Sequence, residues 1–127
     1  QSHKLALDEN LVAFGHYVED SAKYHLPALI ENGATAIICG NDLLAVGVIR
    51  ECGRLHIKIP QEISVVGFDN LPISEEITPA LTTINQDRID LGRNSYAALY
   101  WLIAKVPISR SMLRPRLIVR DSTCQIS

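Results

Sequence analysis

An α/β fold built on a largely parallel sheet is the architecture that the 127-residue sequence predicts, and three observations predict it. Residues 35–39 (T-A-I-I-C) and 63–68 (I-S-V-V-G-F) are short apolar runs without polar alternation, the composition of strands covered on both faces. Between them residues 43–52 carry an uninterrupted helical pattern, so strand, helix and strand follow in the order that makes a right-handed parallel crossover. Both runs end in polar breaks of the same kind, Gly40-Asn41-Asp42 and Asp69-Asn70, as strand-to-loop turns at one sheet edge would.

The remaining elements follow in order. Residues 11–17, with Val12, Phe14 and Tyr17, read as a strand weakened at Gly15. Asp20 or Ser21 then caps a helix in which Ala22, Leu26, Leu29 and Ile30 repeat at helical spacing until Asn32-Gly33, with Pro27 predicting a kink or a late start. Residues 35–39 are expected at the centre of the sheet, and Gly53 is expected to end the helix that follows them. That helix is apolar nearly all round (Leu43, Leu44, Ala45, Val46, Val48, Ile49), more than one sheet-facing stripe requires, so a second buried face and a subunit contact are expected. Residues 71–79 are poor in helix signals, and residues 81–84 (L-T-T-I) are extended. Asp87 caps the longest helix, expected to reach about Lys105, with Ile89, Tyr96, Leu99, Tyr100 and Ile103 on one face and Arg88, Arg93 and Asn94 elsewhere. After a loop at residues 106–111, R-L-I-V-R at 116–120 alternates, placing Leu117 and Val119 inward and Arg116 and Arg120 in solvent.

Composition excludes several functions. Apolar residues at 47% and charged residues at 20% are ordinary for a globular core. Twelve Lys and Arg against 14 Asp and Glu leave a net charge of -2, which gives no phosphate-backbone grip and no pull toward anionic lipid. No run approaches the roughly 20 apolar residues of a membrane span, and no secretion core is present near the N-terminus. Position 1 is not Met, and the chain is expected to begin inside a longer protein. Cys39, Cys52 and Cys124 lack CxxC pairing and read as reduced core thiols, while His3, His16, His25 and His56 are scattered without metal or catalytic spacing. No nucleophile elbow, phosphate loop or dinucleotide fingerprint occurs, and Ser64 lies within a strand without a triad partner, so no enzyme, cofactor or metal is expected.

In open parallel sheets ligands sit beyond the carboxyl ends of the strands, which directs attention to residues 40–42 and 68–70. The Asp69 carboxylate can accept from vicinal hydroxyls, the Asn41 amide offers a donor and an acceptor, and Tyr17 could cover the apolar face of a sugar ring. Such a set suits a neutral polyol better than an anion. Asn and Asp at strand ends also serve as caps and turn formers, so both readings stand on these features alone.

Four stretches, A-T-A-I-I-C-G-N-D-L-L-A-V-G-V-I-R, I-P-Q-E-I-S-V-V-G-F-D-N, T-P-A-L-T-T-I-N-Q-D and R-P-R-L-I-V-R-D-S-T, closely resemble the LacI/GalR family of bacterial transcriptional regulators in order and spacing. The resemblance covers most of residues 34–123 and implies the C-terminal half of a periplasmic-binding-protein-like type I effector domain, a doubly wound parallel sheet in two lobes with the ligand between them. On that basis residues 11–80 form the C-terminal lobe, 81–86 a crossing strand, 87–105 a helix of the other lobe, and 106–127 the terminal strands and tail. By position, Asp69 matches the carboxylate that binds effector hydroxyls or amines, Asn41 a polar cleft residue, Tyr17 a stacking aromatic and Gln86 a crossing-strand glutamine. Arg88 stands where some members carry a ligand-facing aromatic, and Asp42 is expected to be a cap. Leu43, Leu44, Val46, Val48, Leu71, Ile73 and Ile77 match dimer contacts. The implied function is effector sensing in a cytoplasmic, dimeric repressor-type regulator that binds operator DNA through a part outside this chain. The alternatives are an exported sugar-binding receptor of the same fold, against which the R-P-R-L-I-V-R-D-S-T ending argues, and a nucleotide-dependent α/β enzyme. Strands deprived of absent partners would expose apolar surface, so self-association of this chain is also expected.

Overall fold

The computed structural model describes residues 6–108 and 113–125. Four strands, β1 (Ala36–Ile38), β2 (Ser64–Phe68), β3 (Thr82–Asn85) and β4 (Arg116–Ile118), lie side by side in that order in one sheet. The first three are parallel, with Ile37 opposite Val65 and Gly67 opposite Thr83, and β4 runs antiparallel to β3. Four helices accompany them: α1 (Ser21–Glu31), α2 (Asp42–Arg54), the single turn α3 (Ile73–Glu76) and α4 (Arg88–Ile103). Ala22 and Leu26 of α1 and Ala45, Val48, Ile49 and Cys52 of α2 close over Ile37, Val65 and Leu81 of the sheet to form the core.

Two expectations about the left side of the sheet fail together. Residues 11–17 form no strand: one 3-10 turn at Glu9–Leu11, capped by Asp8, is followed by irregular, exposed chain. β1 is therefore an edge strand, and Ile38 is 82% exposed. An apolar composition records how much of a strand could be buried, not its place in the strand order.

α1 starts at Ser21 and runs through Pro27. Lys23, whose carbonyl loses its partner to the proline ring, and Pro27 are both exposed, so solvent can satisfy that carbonyl. Gly33 ends α1 in the left-handed conformation (φ 82), with the Gly33 and Ala34 N–H groups donating to Ile30 and Leu29. The same C-terminal motif ends α2, but at His56 (φ 60) rather than Gly53, which lies inside the helix. Ile57 N–H donates back to the Cys52 carbonyl at 2.9 Å, and the Ile57 side chain packs against the core, which holds the reversal three residues later than the glycine suggests.

α2 packs against both β2 and α1, and its Gly47 sits so close to the Glu19 backbone that a Cβ would collide with it. The surplus apolar character of α2 is thus absorbed within the chain: Val46 and Val48 are buried, Leu44 packs on the core, and Leu43 alone of these four is exposed. A dimer contact through Val46 or Val48 is ruled out by that burial. Leu71, Ile73 and Ile77 are half-buried, and Ile77 packs against the core.

α4 begins as expected, with Asp87 Oδ1 accepting from Asp90 N–H at 3.1 Å, and stops at Ile103. No residue of α4 is buried, and its apolar face from Ile89 to Ile103 is uncovered. Leu117 and Val119 are likewise exposed rather than inward. Arg120 departs the opposite way, with only 13% of its side chain exposed. β4 ends at Ile118, so the two-residue alternation that paired Arg120 with Arg116 no longer holds beyond it. The chain then turns under the sheet, where Ser122 bridges β2 and β3: its carbonyl accepts from Val65 N–H, its Oγ donates to the Val65 carbonyl at 2.6 Å and accepts from Thr82 N–H at 2.8 Å.

Candidate functional site

The carboxyl ends of the three parallel strands bring together the turns Gly40-Asn41, Asp69-Asn70 and Gln86-Asp87. Asp69 and Asn70 are both left-handed, with φ 112 and 53. Asp69 N–H donates to the Ile84 carbonyl at 2.9 Å, which carries the β2–β3 ladder one residue past the strand. The Gln86 amide reaches the Asp69 carboxylate at 3.4 Å, so a half-buried acceptor and a donor-acceptor pair stand side by side.

Asn41 is committed locally. Its Oδ1 accepts from Leu44 N–H at 2.9 Å as the N-cap of α2, and its Nδ2 donates to the Tyr17 carbonyl at 3.2 Å. The amide keeps one hydrogen and one lone pair for a ligand. The Tyr17 ring lies over Gly40, where a Cβ would strike it, and Tyr17 remains 66% exposed. Arg88 is exposed in the first turn of α4. The structure therefore pairs Asp69 with Gln86 and Tyr17 with Asn41. One hollow of about 450 Å³ lies between α1 and β1, and one of about 680 Å³ beside α4 takes in Gln86 alone of the five residues, so neither of these two joins Asn41 to Asp69.

Asp42, expected as a cap, is instead a buried junction. It accepts from Leu71 N–H at 2.7 Å and from the Thr83 hydroxyl at 2.5 Å, while Asn41 does the capping. Burial pushes the Cys39 thiol up to about 12 and the Cys52 thiol up to about 11, with Asp42 and Glu51 adding to the respective shifts, so neither is a thiolate nucleophile. Cys124 is exposed, against the expectation of three core thiols. Arg54 hydrogen bonds hold the Glu51 carboxyl below the usual carboxylate range. Among the described residues no cluster of His, Cys, Asp and Glu could hold a metal, and no helix is long and apolar enough to cross a membrane.

The periplasmic binding protein-like domain family matches residues 2–123. The chain belongs to that family. Its relatives are transcriptional regulators of the LacI type. The HTH-type transcriptional repressor PurR of Vibrio atlanticus is 35% identical over 98 residues, which are 76% of this chain and 29% of that repressor. The crystal structure of the transcription regulator CcpA of Lactococcus lactis superposes with a TM-score of 0.86 at 30% identity over 94% of this chain and 45% of CcpA. A LacI family regulator from Enterococcus faecium with bound ribose gives a TM-score of 0.80 at 29% identity over 88% of this chain and 42% of that one. The chain spans under half the length of each of these relatives.

Within this periplasmic binding protein-like chain, the residues that sequence reasoning missed are those that hold the edge rather than face it. Asp42 was masked by its neighbour Asn41, since either could cap α2. Arg120 was masked by an alternation that stops two residues too soon. Asn70, Ser74 and Thr83 carry no signal by type, and only the fold shows their shared partners.

Proposed function

We propose that this chain is part of the effector-sensing domain of a LacI-type transcriptional regulator, and that its carboxyl edge is one wall of a cleft for a small polar ligand, a sugar or a related polyhydroxyl metabolite. The observation that carries the reading is the half-buried Asp69 carboxylate on its left-handed turn with the Gln86 amide beside it at 3.4 Å, an acceptor and a donor-acceptor group together at the carboxyl ends of β2 and β3. A carboxylate beside an amide matches vicinal hydroxyls, and ribose in the Enterococcus faecium relative is a ligand of that chemistry. Closure of a second lobe over this edge changes the relation between two subunits, and thereby operator binding by a part of the protein outside this chain. Sensing therefore needs differential binding between open and closed states and no bond-making step. The setting is the cytoplasm, and the working unit is a homodimer. The exported-receptor reading is less favoured, because the relatives compared are transcriptional regulators.

Asp69→Ala in the full-length regulator tests the site. Each charge-assisted hydrogen bond to a hydroxyl contributes about 1.5–3 kcal/mol, so effector affinity should fall roughly 10- to 150-fold per hydroxyl lost. Operator binding without effector should be unchanged in a mobility-shift assay. A mutant that responds to effector at wild-type concentrations would remove Asp69 from the site.

A further inference from the structure

We propose that Arg120 is a positioning residue for Asp69, holding the left-handed Asp69-Asn70 turn through the Asn70 side chain. The proposal rests on the assignment of Asp69 to the ligand. Two consecutive non-glycine residues at φ 112 and 53 occupy backbone that L side chains rarely adopt, so contacts outside the turn must hold it. Ile84, Thr83 and Asp42 hold the backbone of the turn by accepting from the Asp69, Asn70 and Leu71 N–H groups, and the Asn70 side chain is held by Arg120. Its Nη2 donates to Asn70 Oδ1 at 2.9 Å and to Glu75 at 2.7 Å, and its Nη1 donates to the Leu81 carbonyl at 2.8 Å and to Ser74 Oγ at 3.2 Å. Its own N–H donates to Thr82 Oγ1 at 2.9 Å, which fixes the base of the side chain on β3.

The guanidinium thus ties residue 120 to the turn at Asn70, to α3 at Ser74 and Glu75, and to the Leu81 carbonyl just ahead of β3. A planar fork with donors on two nitrogens can serve four acceptors in one orientation, whereas a lysine ammonium in the same place reaches fewer of them. Glu75 lies on the exposed rim of this cluster, and its ion pair is dispensable for the turn. Both Nη groups of Arg120 are engaged with these four acceptors. Its effect on binding passes through the direction in which Asn70 lets Asp69 point.

The test uses the full-length protein and reads amide hydrogen exchange at Asp69, Asn70 and Leu71 in Arg120→Met, Arg120→Lys and Glu75→Ala, with Val48 and Ile49 of α2 as the measure of global stability. Arg120→Met should speed exchange in the turn about tenfold or more while the α2 amides stay put, Arg120→Lys should restore part of the protection, and Glu75→Ala should match wild type. Unchanged exchange in the turn of Arg120→Met, or an equal rise at turn and α2, overturns the proposal. The ligand assignment is read separately by calorimetry with D-ribose, lactose and cellobiose on Asp69→Ala. Binding that survives Asp69→Ala sinks the site assignment and with it the link from Arg120 to the ligand, whatever the exchange data say of the turn. Binding lost in Asp69→Ala, with turn exchange as in wild type in Arg120→Met, sinks the role of Arg120 alone.

Discussion

Replacing Asp42 should cost far more than its place in the first turn of a helix suggests. The carboxylate is fully buried and joins three segments: α2, on which it sits, β3 through Thr83, and the loop after β2 through Leu71. Asp42→Ala leaves the Leu71 N–H and the Thr83 hydroxyl without this acceptor, at about 1–3 kcal/mol each, and removing a buried charge recovers part of that, so a net loss of about 3 kcal/mol is expected. Asp42→Asn keeps the shape. Its remaining oxygen can face Leu71 N–H while its amide donates to Thr83 Oγ1, whose hydroxyl turns round, so the loss should be about 1 kcal/mol. With a urea slope of about 1–3 kcal/mol per molar, the Ala midpoint should fall by about 1–3 M and the Asn midpoint by less than about 1 M. Equilibrium urea unfolding followed by circular dichroism measures both. Equal midpoints for Asp42→Ala and Asp42→Asn, or an Ala midpoint indistinguishable from wild type, would refute the view that the two hydrogen bonds are what the residue contributes.

Other outcomes follow from the same contacts. Gly67→Ala should destabilise the fold by about 1–3 kcal/mol in the same assay, because a Cβ there meets the Asp42 carboxylate and the Leu81 side chain in a packed interior. Cys39 stays protonated in the fold up to about 12, against 9.0 for the unfolded thiol, so its contribution is complete below pH 9 and is lost as pH rises toward 12. Stability should therefore fall by about 1.4 kcal/mol per pH unit across that window from this thiol, and Cys39→Ala should remove that share of the slope. At neutral pH a thiol reagent should label exposed Cys124 in the folded chain and spare Cys39 and Cys52 until unfolding. The exposed apolar face of α4, with Tyr96, Leu99, Tyr100 and Ile103 each more than half exposed, should make the 127-residue chain self-associate in light scattering. Leu99→Glu should shift that equilibrium toward monomer, and a wild-type chain of 14.1 kDa at all concentrations would contradict the expectation.

Much of the fold was legible because its signals are local. Strand-like runs at residues 63–68 and 81–84, the Asp87 cap and the Gly33 stop are decided by a few neighbouring side chains, and they appear where those side chains put them. The end of α2 was not legible, because the sequence pointed to Gly53 and the packing of Ile57 holds the reversal at His56 instead. Strand order was not legible either, since the same apolar runs serve a central and an edge strand. At the candidate site, Asp69 and Gln86 were named from sequence and stand together, whereas Asn41 proved half-occupied as a cap.

By itself the sequence determined the alternation of strands and helices, the crossover that gathers polar turns at one edge, and the likeness to periplasmic binding protein-like domains. Those depend on residue type, spacing and order, which a chain carries before it folds. The tertiary structure alone decided that Asp42 and Arg120 are interior anchors, that Ser122 bridges two strands, and that α4 stands with its apolar face bare. Each of those joins or separates residues tens of positions apart, and a hydrogen bond across such a distance exists only once the backbone has brought its two ends to within about 3 Å.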